Sequence, residues 1–246
     1  MRSWNKLYRT EGIVLRSYKL GEADKIIVLF TKDYGIKSAV ARSVRKTTSK
    51  IGARVEPFNY IDVQLCSGKS LDIISQVEII GAYSKEISKN IQSFTAANLM
   101  CEVVEKLLIE NEKALSIFSL LKGGLFSLSY RNYMPVLVSS SFCLRALSIS
   151  GWAPSCFNCA NCGKEGYHEY FNIYDGGAMC DACRKVGCRK IDVRTMKLLL
   201  DLFVGNWQEV AKVENFIIDE AVDVVNSYTQ WHLERSLKSL QFQNIH

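Results

Sequence analysis

Long apolar runs are missing from this chain. No stretch of its 246 residues approaches eighteen continuous apolar residues, and the longest uncharged runs, such as Asn132 to Leu144, are broken by Ser and Pro. A membrane-spanning helix is therefore not expected. Met1 to Gly12 is polar and charged and lacks the apolar centre of a secretory signal, which sets the expectation of a cytoplasmic protein. Histidine is also scarce, with three residues of which the first is His168. A zinc deaminase needs H-x-E upstream of its cysteines, and here there is none. His168-Glu169 does not extend to H-E-x-x-H, and Gly68-Lys69-Ser70 resembles the end of a phosphate loop but has Val63 where the first glycine belongs. With no acid/base pair and no nucleotide loop, the chain is not expected to be an enzyme.

What is present is an ordinary globular composition, 48% hydrophobic and 23% charged, long enough for two domains and without repeats or low-complexity tracts. Nine cysteines without a secretory signal fit a reducing compartment where thiolates remain available to metal. Four of them carry the strongest chemical signal. Cys159 and Cys162, then Cys180 and Cys183, form C-x2-C, seventeen intervening residues, and a second C-x2-C. Thiolates so spaced bind one metal from two knuckles, and the separation suits a tetrahedral Zn(2+) site. Tyr167 to Tyr174 reads as strand, and Asp175-Gly176-Gly177 as a turn bringing the second knuckle back to the first. A redox C-x-x-C normally follows a strand and opens a helix, which this context does not support. One structural ion is expected, with no open position for catalysis.

Cys156 and Cys188 lie just outside the quartet, so a register using Cys156 and Cys159 is the alternative. Gly163 after the second knuckle cysteine favours the first register. Cys66, Cys101 and Cys143 fall in apolar patterns and read as core.

The net charge of +6 is unevenly placed. Residues 1–80 hold 14 Lys/Arg against 8 Asp/Glu, while residues 81–246 hold 17 against 17. Lys37, Arg42, Arg45, Lys46, Lys50 and Arg54 occur with no acidic residue between Asp33 and Glu56. Such a run is an electrostatic footprint for a polyanion, most often nucleic acid, although a solvated loop has the same composition. Arg16 and Lys19 are weaker candidates, and Tyr8, Tyr18, Tyr34 and Tyr60 are stacking candidates that could equally fill a barrel.

The first 80 residues read as strands at Thr10 to Tyr18, Lys25 to Thr31, Ile36 to Ala41, Phe58 to Leu65 and Ser70 to Ile80. In the fourth, Ile61, Val63 and Leu65 alternate with Tyr60, Asp62 and Gln64. Five strands with a long connection after the third suit a small closed barrel of OB type, and Gly12 suits the bend it needs. From about residue 88 the period becomes helical, marked by Ala97, Met100, Cys101, Val104, Leu107 and Leu108. Further helices are expected at about 113–128, 134–149, 192–203 and 212–238. The predicted architecture is α+β: an OB-fold at 1–80, and an α-helical domain at 81–246 with a zinc ribbon or knuckle inserted at 156–188.

In this order and spacing the motifs resemble the RecO family. The matching residues are Gly12-Ile13-Val14-Leu15, Gly21-Glu22 with Asp24, Leu29-Phe30-Thr31 with Gly35, the Ala41 to Lys46 segment, and Glu56-Pro57-Phe58. Downstream, Leu144-Arg145, Gly151-Trp152-Ala153-Pro154, the four cysteines and Arg235-Ser236-Leu237-Lys238-Ser239 follow. Ser43 departs from the pattern, standing where the family usually has glycine. The resemblance implies a DNA repair and homologous recombination mediator of the bacterial cytoplasm, associated with the nucleoid. Such a protein binds single- and double-stranded DNA and anneals complementary strands. With RecR it helps load RecA on DNA coated by single-stranded DNA-binding protein. A zinc-ribbon transcription or RNA-binding factor is the second reading; it shares the basic face and the zinc but prefers a sequence or RNA.

Overall fold

The computed structural model describes residues 6–46, 49, 51–109 and 112–233. Five strands, β1 (Leu7–Leu20), β2 (Asp24–Thr31), β3 (Gly35–Ala41), β4 (Tyr60–Cys66) and β5 (Asp72–Gly81), close in the order β1-β2-β3-β5-β4. All neighbouring pairs are antiparallel except β3 and β5, which run parallel at Ala39↔Asp72 and Val40↔Ile73 and shut the barrel. This is OB topology.

The length of β1 explains how so few strands close. Its first half pairs with β4 through Leu7–Ile13, its second half with β2 through Gly12–Leu20, so one strand serves two partners. Gly12 falls at the handover, and a bulge between Val14 and Arg16 adds the local twist. Inward side chains follow the period-two alternation of the sequence: Val14, Ile27, Leu29, Ile61, Val63 and Leu65 fill the core. Truncating one of these to alanine typically costs about 2–5 kcal/mol.

Between β3 and β4 the chain makes a short 3-10 turn, Gly52–Val55. Asn59 fixes it. Buried at the head of β4, its amide donates to the carbonyls of Ala53 (3.1 Å) and Arg54 (3.3 Å) and its Oδ1 accepts from Ser84 N–H (3.0 Å), so one side chain satisfies groups on two segments.

Three helices pack in the same compact unit as the barrel, Met1–Asn132: α1 (Tyr83–Ile87), α2 (Ile91–Leu107) and α3 (Leu115–Tyr130). Asn90 starts α2 by accepting from the N–H groups of Gln92 and Ser93. Phe58 of the β4 approach meets Phe94 of α2 edge-on at 5.5 Å, and Phe30 of β2 meets Phe118 of α3 at 5.3 Å. Secondary structure thus changes type just after residue 81, whereas the compact unit ends only at Asn132.

The second unit, Tyr133–His246, contains α4 (Pro135–Ile149), α5 (Val193–Val204), the short α6 (Trp207–Val210) and α7 (Asn215–His232). Ser141 of α4 donates to the carbonyl of Leu202 (2.7 Å), a buried tie between α4 and α5. Inserted between these two helices are β6 (Tyr170–Asn172), β7 (Gly177–Met179) and β8 (Arg189–Lys190), a three-stranded sheet in the order β7-β6-β8. The expected strand at Tyr167 to Tyr174 is shorter than its pattern, because Asn172 Oδ1 accepts from the N–H groups of Tyr174 and Asp175 and turns the chain. No helix among the described residues is long and apolar enough to cross a membrane.

Candidate nucleic-acid interface and metal centre

The basic residues after β3 sit in a docked turn. Val44 is buried in the barrel core, anchoring the turn from within. Ser43 N–H donates to Asp24 Oδ1 (2.7 Å) and Arg45 N–H to the carbonyl of Ala23 (2.9 Å), fastening the turn to the tip of the β1–β2 hairpin. Ser43 has φ +54°, a left-handed conformation that glycine adopts without cost.

The six basic candidates divide. Arg42 and Lys46 are exposed, Lys37 is half-buried on β3, and none has a carboxylate partner among the described residues. Arg45 is exposed but spends a guanidinium hydrogen on the carbonyl of Gly21 (2.9 Å). Arg54 is turned inward, donating to the carbonyl of Val77 (2.7 Å), so it braces the barrel. Lys50 lies outside the described residues. Lys25, which the charge pattern did not single out, is neutralised by Glu56 at 2.8 Å.

Of the aromatic candidates, Tyr60 is only 7% exposed. Its ring packs on Phe118 and its hydroxyl bonds Glu11, so it belongs to the seam between barrel and α3. Burial and that carboxylate together push the Tyr60 phenol well up. Tyr8 is likewise held, its hydroxyl on Asp72 and its ring edge-on to Tyr34. Tyr34 and Tyr18 remain exposed.

In the second unit the Sγ atoms of Cys159, Cys162, Cys180 and Cys183 all lie within 4.8 Å of one another. Cys162 and Cys180 are 3.8 Å apart, and a tetrahedron with metal–sulfur bonds of about 2.3 Å has edges of roughly 3.8 Å. Each knuckle is a turn closed by its backbone, Gly163 N–H to Cys159 O (2.9 Å) and Cys183 N–H to Cys180 O (3.0 Å). Gly163 at φ +74° is the turn residue its position in the sequence suggested. Burial opposes ionisation of Cys159, but the N–H groups of Cys180, Cys162 and Asn161 outweigh it and hold this thiol below its ordinary range. Asn161 also donates to Cys183 Sγ at 3.3 Å. Four convergent sulfurs with N–H donors behind them fit a thiophilic metal ion.

The neighbouring cysteines are excluded from the cluster. Cys156 is buried with its Sγ toward the carbonyl of Pro154, its thiol pushed up to about 12 by burial. Cys188 packs against the cluster, but its Sγ accepts from Asn172 (3.4 Å) and Lys185 N–H (3.5 Å) instead. Burial raises the thiols of Cys101 and Cys143 as core positions should. His168 Nε2 is bonded to the carbonyl of Lys164 (3.0 Å), a satisfied side chain rather than a ligand.

Two family models divide the chain between them: residues 1–83 match the recombination protein O N terminal model and residues 88–241 the recombination protein O C terminal model. The chain belongs to the RecO family. It is 41% identical over 236 residues to the DNA repair protein RecO of Thermobifida fusca (strain YX), covering 96% of this chain and 97% of that one. To the DNA repair protein RecO of Nocardioides sp. (strain ATCC BAA-499 / JS614) it is 41% identical over 240 residues, with 96% and 98% covered. The protein of that name from Streptomyces coelicolor is 40% identical over 243 residues, at the same coverage. The RecO motifs take definite places: Gly21-Glu22 caps the β1–β2 hairpin, Ala41 to Lys46 is the docked turn, and Glu56-Pro57-Phe58 leads to Asn59. The terminal Arg235 to Ser239 motif lies outside the described residues.

Proposed function

We propose that this RecO chain is a DNA repair and homologous recombination mediator without catalytic chemistry of its own, acting at the bacterial nucleoid. Its OB barrel binds single- and double-stranded DNA through the phosphates. The observation that carries this is the pair of exposed cations, Arg42 and Lys46, without a carboxylate partner among the described residues, in a turn fastened to the β1–β2 hairpin, one of the loops by which OB-folds hold oligonucleotides. Lys37 on β3 adds positive charge, and Lys50, outside the described residues, is a further candidate from the charge pattern. Annealing of complementary strands follows without any reacting group: neutralising phosphate on two strands lowers their repulsion and base pairing does the rest. Family membership supports cooperation with RecR in loading RecA on DNA coated by single-stranded DNA-binding protein.

The four-cysteine site is read as structural Zn(2+), supported by the all-thiolate donor set and its closed geometry. It would clamp the two knuckles between α4 and α5.

The test is binding to mixed-sequence single-stranded DNA, duplex DNA and RNA across a salt series. If about four cations contact phosphate, log affinity for single strands falls with log salt at a slope of roughly −3, with little sequence preference. A flat salt response, or a strong preference for RNA or one sequence, defeats the reading and favours the zinc-ribbon RNA or transcription factor.

A further inference from the structure

The register of the barrel sets Tyr18 of β1 opposite Ile26 of β2, and Ile26 opposite Val40 of β3. Residues directly opposite share a sheet face. Ile27, Ala39 and Ala41 belong to the core, so by alternation Ile26, Val40 and Tyr18 face outward. Tyr18 is 47% exposed, and its hydroxyl has no hydrogen-bond partner among the described residues. The strand face that leads into the basic turn therefore carries an open aromatic ring beside two aliphatic side chains.

That ring is braced. The Arg16 guanidinium lies 5.3 Å from the centroid of Tyr18, and its Nε is 2.9 Å from Oε1 of Glu105 on α2. The Glu105 side chain is mostly buried, so the carboxylate is a fixed anchor for an arginine that would otherwise be free. Arg16 is thus ion-paired and, lying over the ring, is placed to hold Tyr18 in one orientation. A ring prepared in this way loses little freedom when something flat stacks on it.

We propose that Tyr18 stacks on an unpaired base, that the Arg16–Glu105 pair positions it, and that this contact sets the preference for single strands over duplex. The proposal rests on the DNA-binding reading above and assigns the specificity-determining residue of that surface. Bases inside a duplex have both faces covered by their neighbours, whereas any unpaired base offers one, so the contact distinguishes strandedness and not sequence. The cations of the turn, which meet phosphate in either form, make no such distinction.

The experiment compares full-length wild type with Tyr18→Ala, Tyr18→Leu and Tyr18→Phe, measuring affinity for one single strand and its duplex at one salt concentration. Tyr18→Ala is expected to weaken single-strand binding about tenfold, with duplex affinity within about twofold. Tyr18→Leu keeps apolar bulk without a π-face and loses as much, while Tyr18→Phe retains wild-type affinity. All three keep the wild-type thermal midpoint and salt slope. Arg16→Gln lowers single-strand affinity about threefold in the wild type and not in the Tyr18→Ala background, as a positioning residue must. Equal losses for both DNA forms, or unchanged single-strand binding in Tyr18→Ala, overturn the stacking proposal alone. A wild type that binds neither form overturns the DNA reading and this proposal with it.

Discussion

Arg45 Nη1 donates to the carbonyl oxygen of Gly21 at 2.9 Å, across the gap between the basic turn and the β1–β2 hairpin tip. Of the cations in this segment, Arg45 is thereby pinned, whereas Arg42 and Lys46 are exposed and have no carboxylate partner among the described residues. A purely electrostatic reading treats all these cations alike; the geometry separates the one that builds the surface from those that present charge.

That separation is measurable by charge reversal. Arg42→Glu with Lys46→Glu is expected to reduce the salt slope for single-stranded DNA by roughly 1 to 1.5, with no change in thermal midpoint. Arg45→Glu is expected to weaken binding and also to lower stability by about 1 kcal/mol, since a hydrogen bond to Gly21 is lost. Titrations at several salt concentrations and urea unfolding curves distinguish the two.

The metal account makes a stoichiometric claim. Protein purified reduced and without chelator should carry about one zinc per chain by elemental analysis. Cys180→Ser should lose it and lower the unfolding midpoint of the helical unit by at least about 5 °C, whereas Cys156→Ser should retain it. Zinc lost equally from both variants would contradict the assigned register.

Ser43 offers a test of backbone strain. Left-handed geometry costs a side chain roughly 1–2 kcal/mol, and glycine gives back about 0.5–1 kcal/mol through its freer unfolded chain. Ser43→Gly is therefore expected to raise stability by roughly 0.5 kcal/mol, and Ser43→Val to lower it, in equilibrium urea unfolding.

His232 links stability to pH. Its ring lies near Trp152 (5.3 Å) and Tyr228 (4.4 Å), its Nε2 is buried without a hydrogen-bond partner among the described residues, and burial holds its pKa below the ordinary 6.5. The unfolded chain thus binds this proton more readily than the folded one. The contribution is present in full above pH 6.5 and is lost as pH falls below it toward the folded value. Between pH 7.5 and 5.5, wild type should lose more stability than His232→Phe; equal losses would remove His232 as the cause.

Much of this was legible in the chain. The alternation of Ile61, Val63 and Leu65 gave β4 its inward face, and the turns at Gly21 and Gly35 separated the first three strands where the barrel separates them. The cysteine spacing selected the same four sulfurs that converge. What local pattern could not reveal depends on distant partners. The parallel contact of β3 with β5 closes the barrel through residues more than thirty apart, and whether Tyr60 stacks on a base or fills the barrel rim is decided only by α3, which packs on its ring. Arg54 looks like Arg42 in sequence, and only the carbonyl of Val77 tells them apart. The short α1 and α6 were missed because five and four residues are too few to show a helical period.

The central claim, that an OB surface with exposed cations at its docked turn brings strands together without catalysis, is tested most directly by fluorescence-quench annealing of two complementary oligonucleotides without ATP, with a gel to check strand integrity. Wild type should accelerate annealing and leave both strands intact, and the Arg42→Glu, Lys46→Glu protein should lose most of that acceleration. Undiminished annealing by the charge-reversed protein, or cleavage of either strand by pure wild type, would contradict the account.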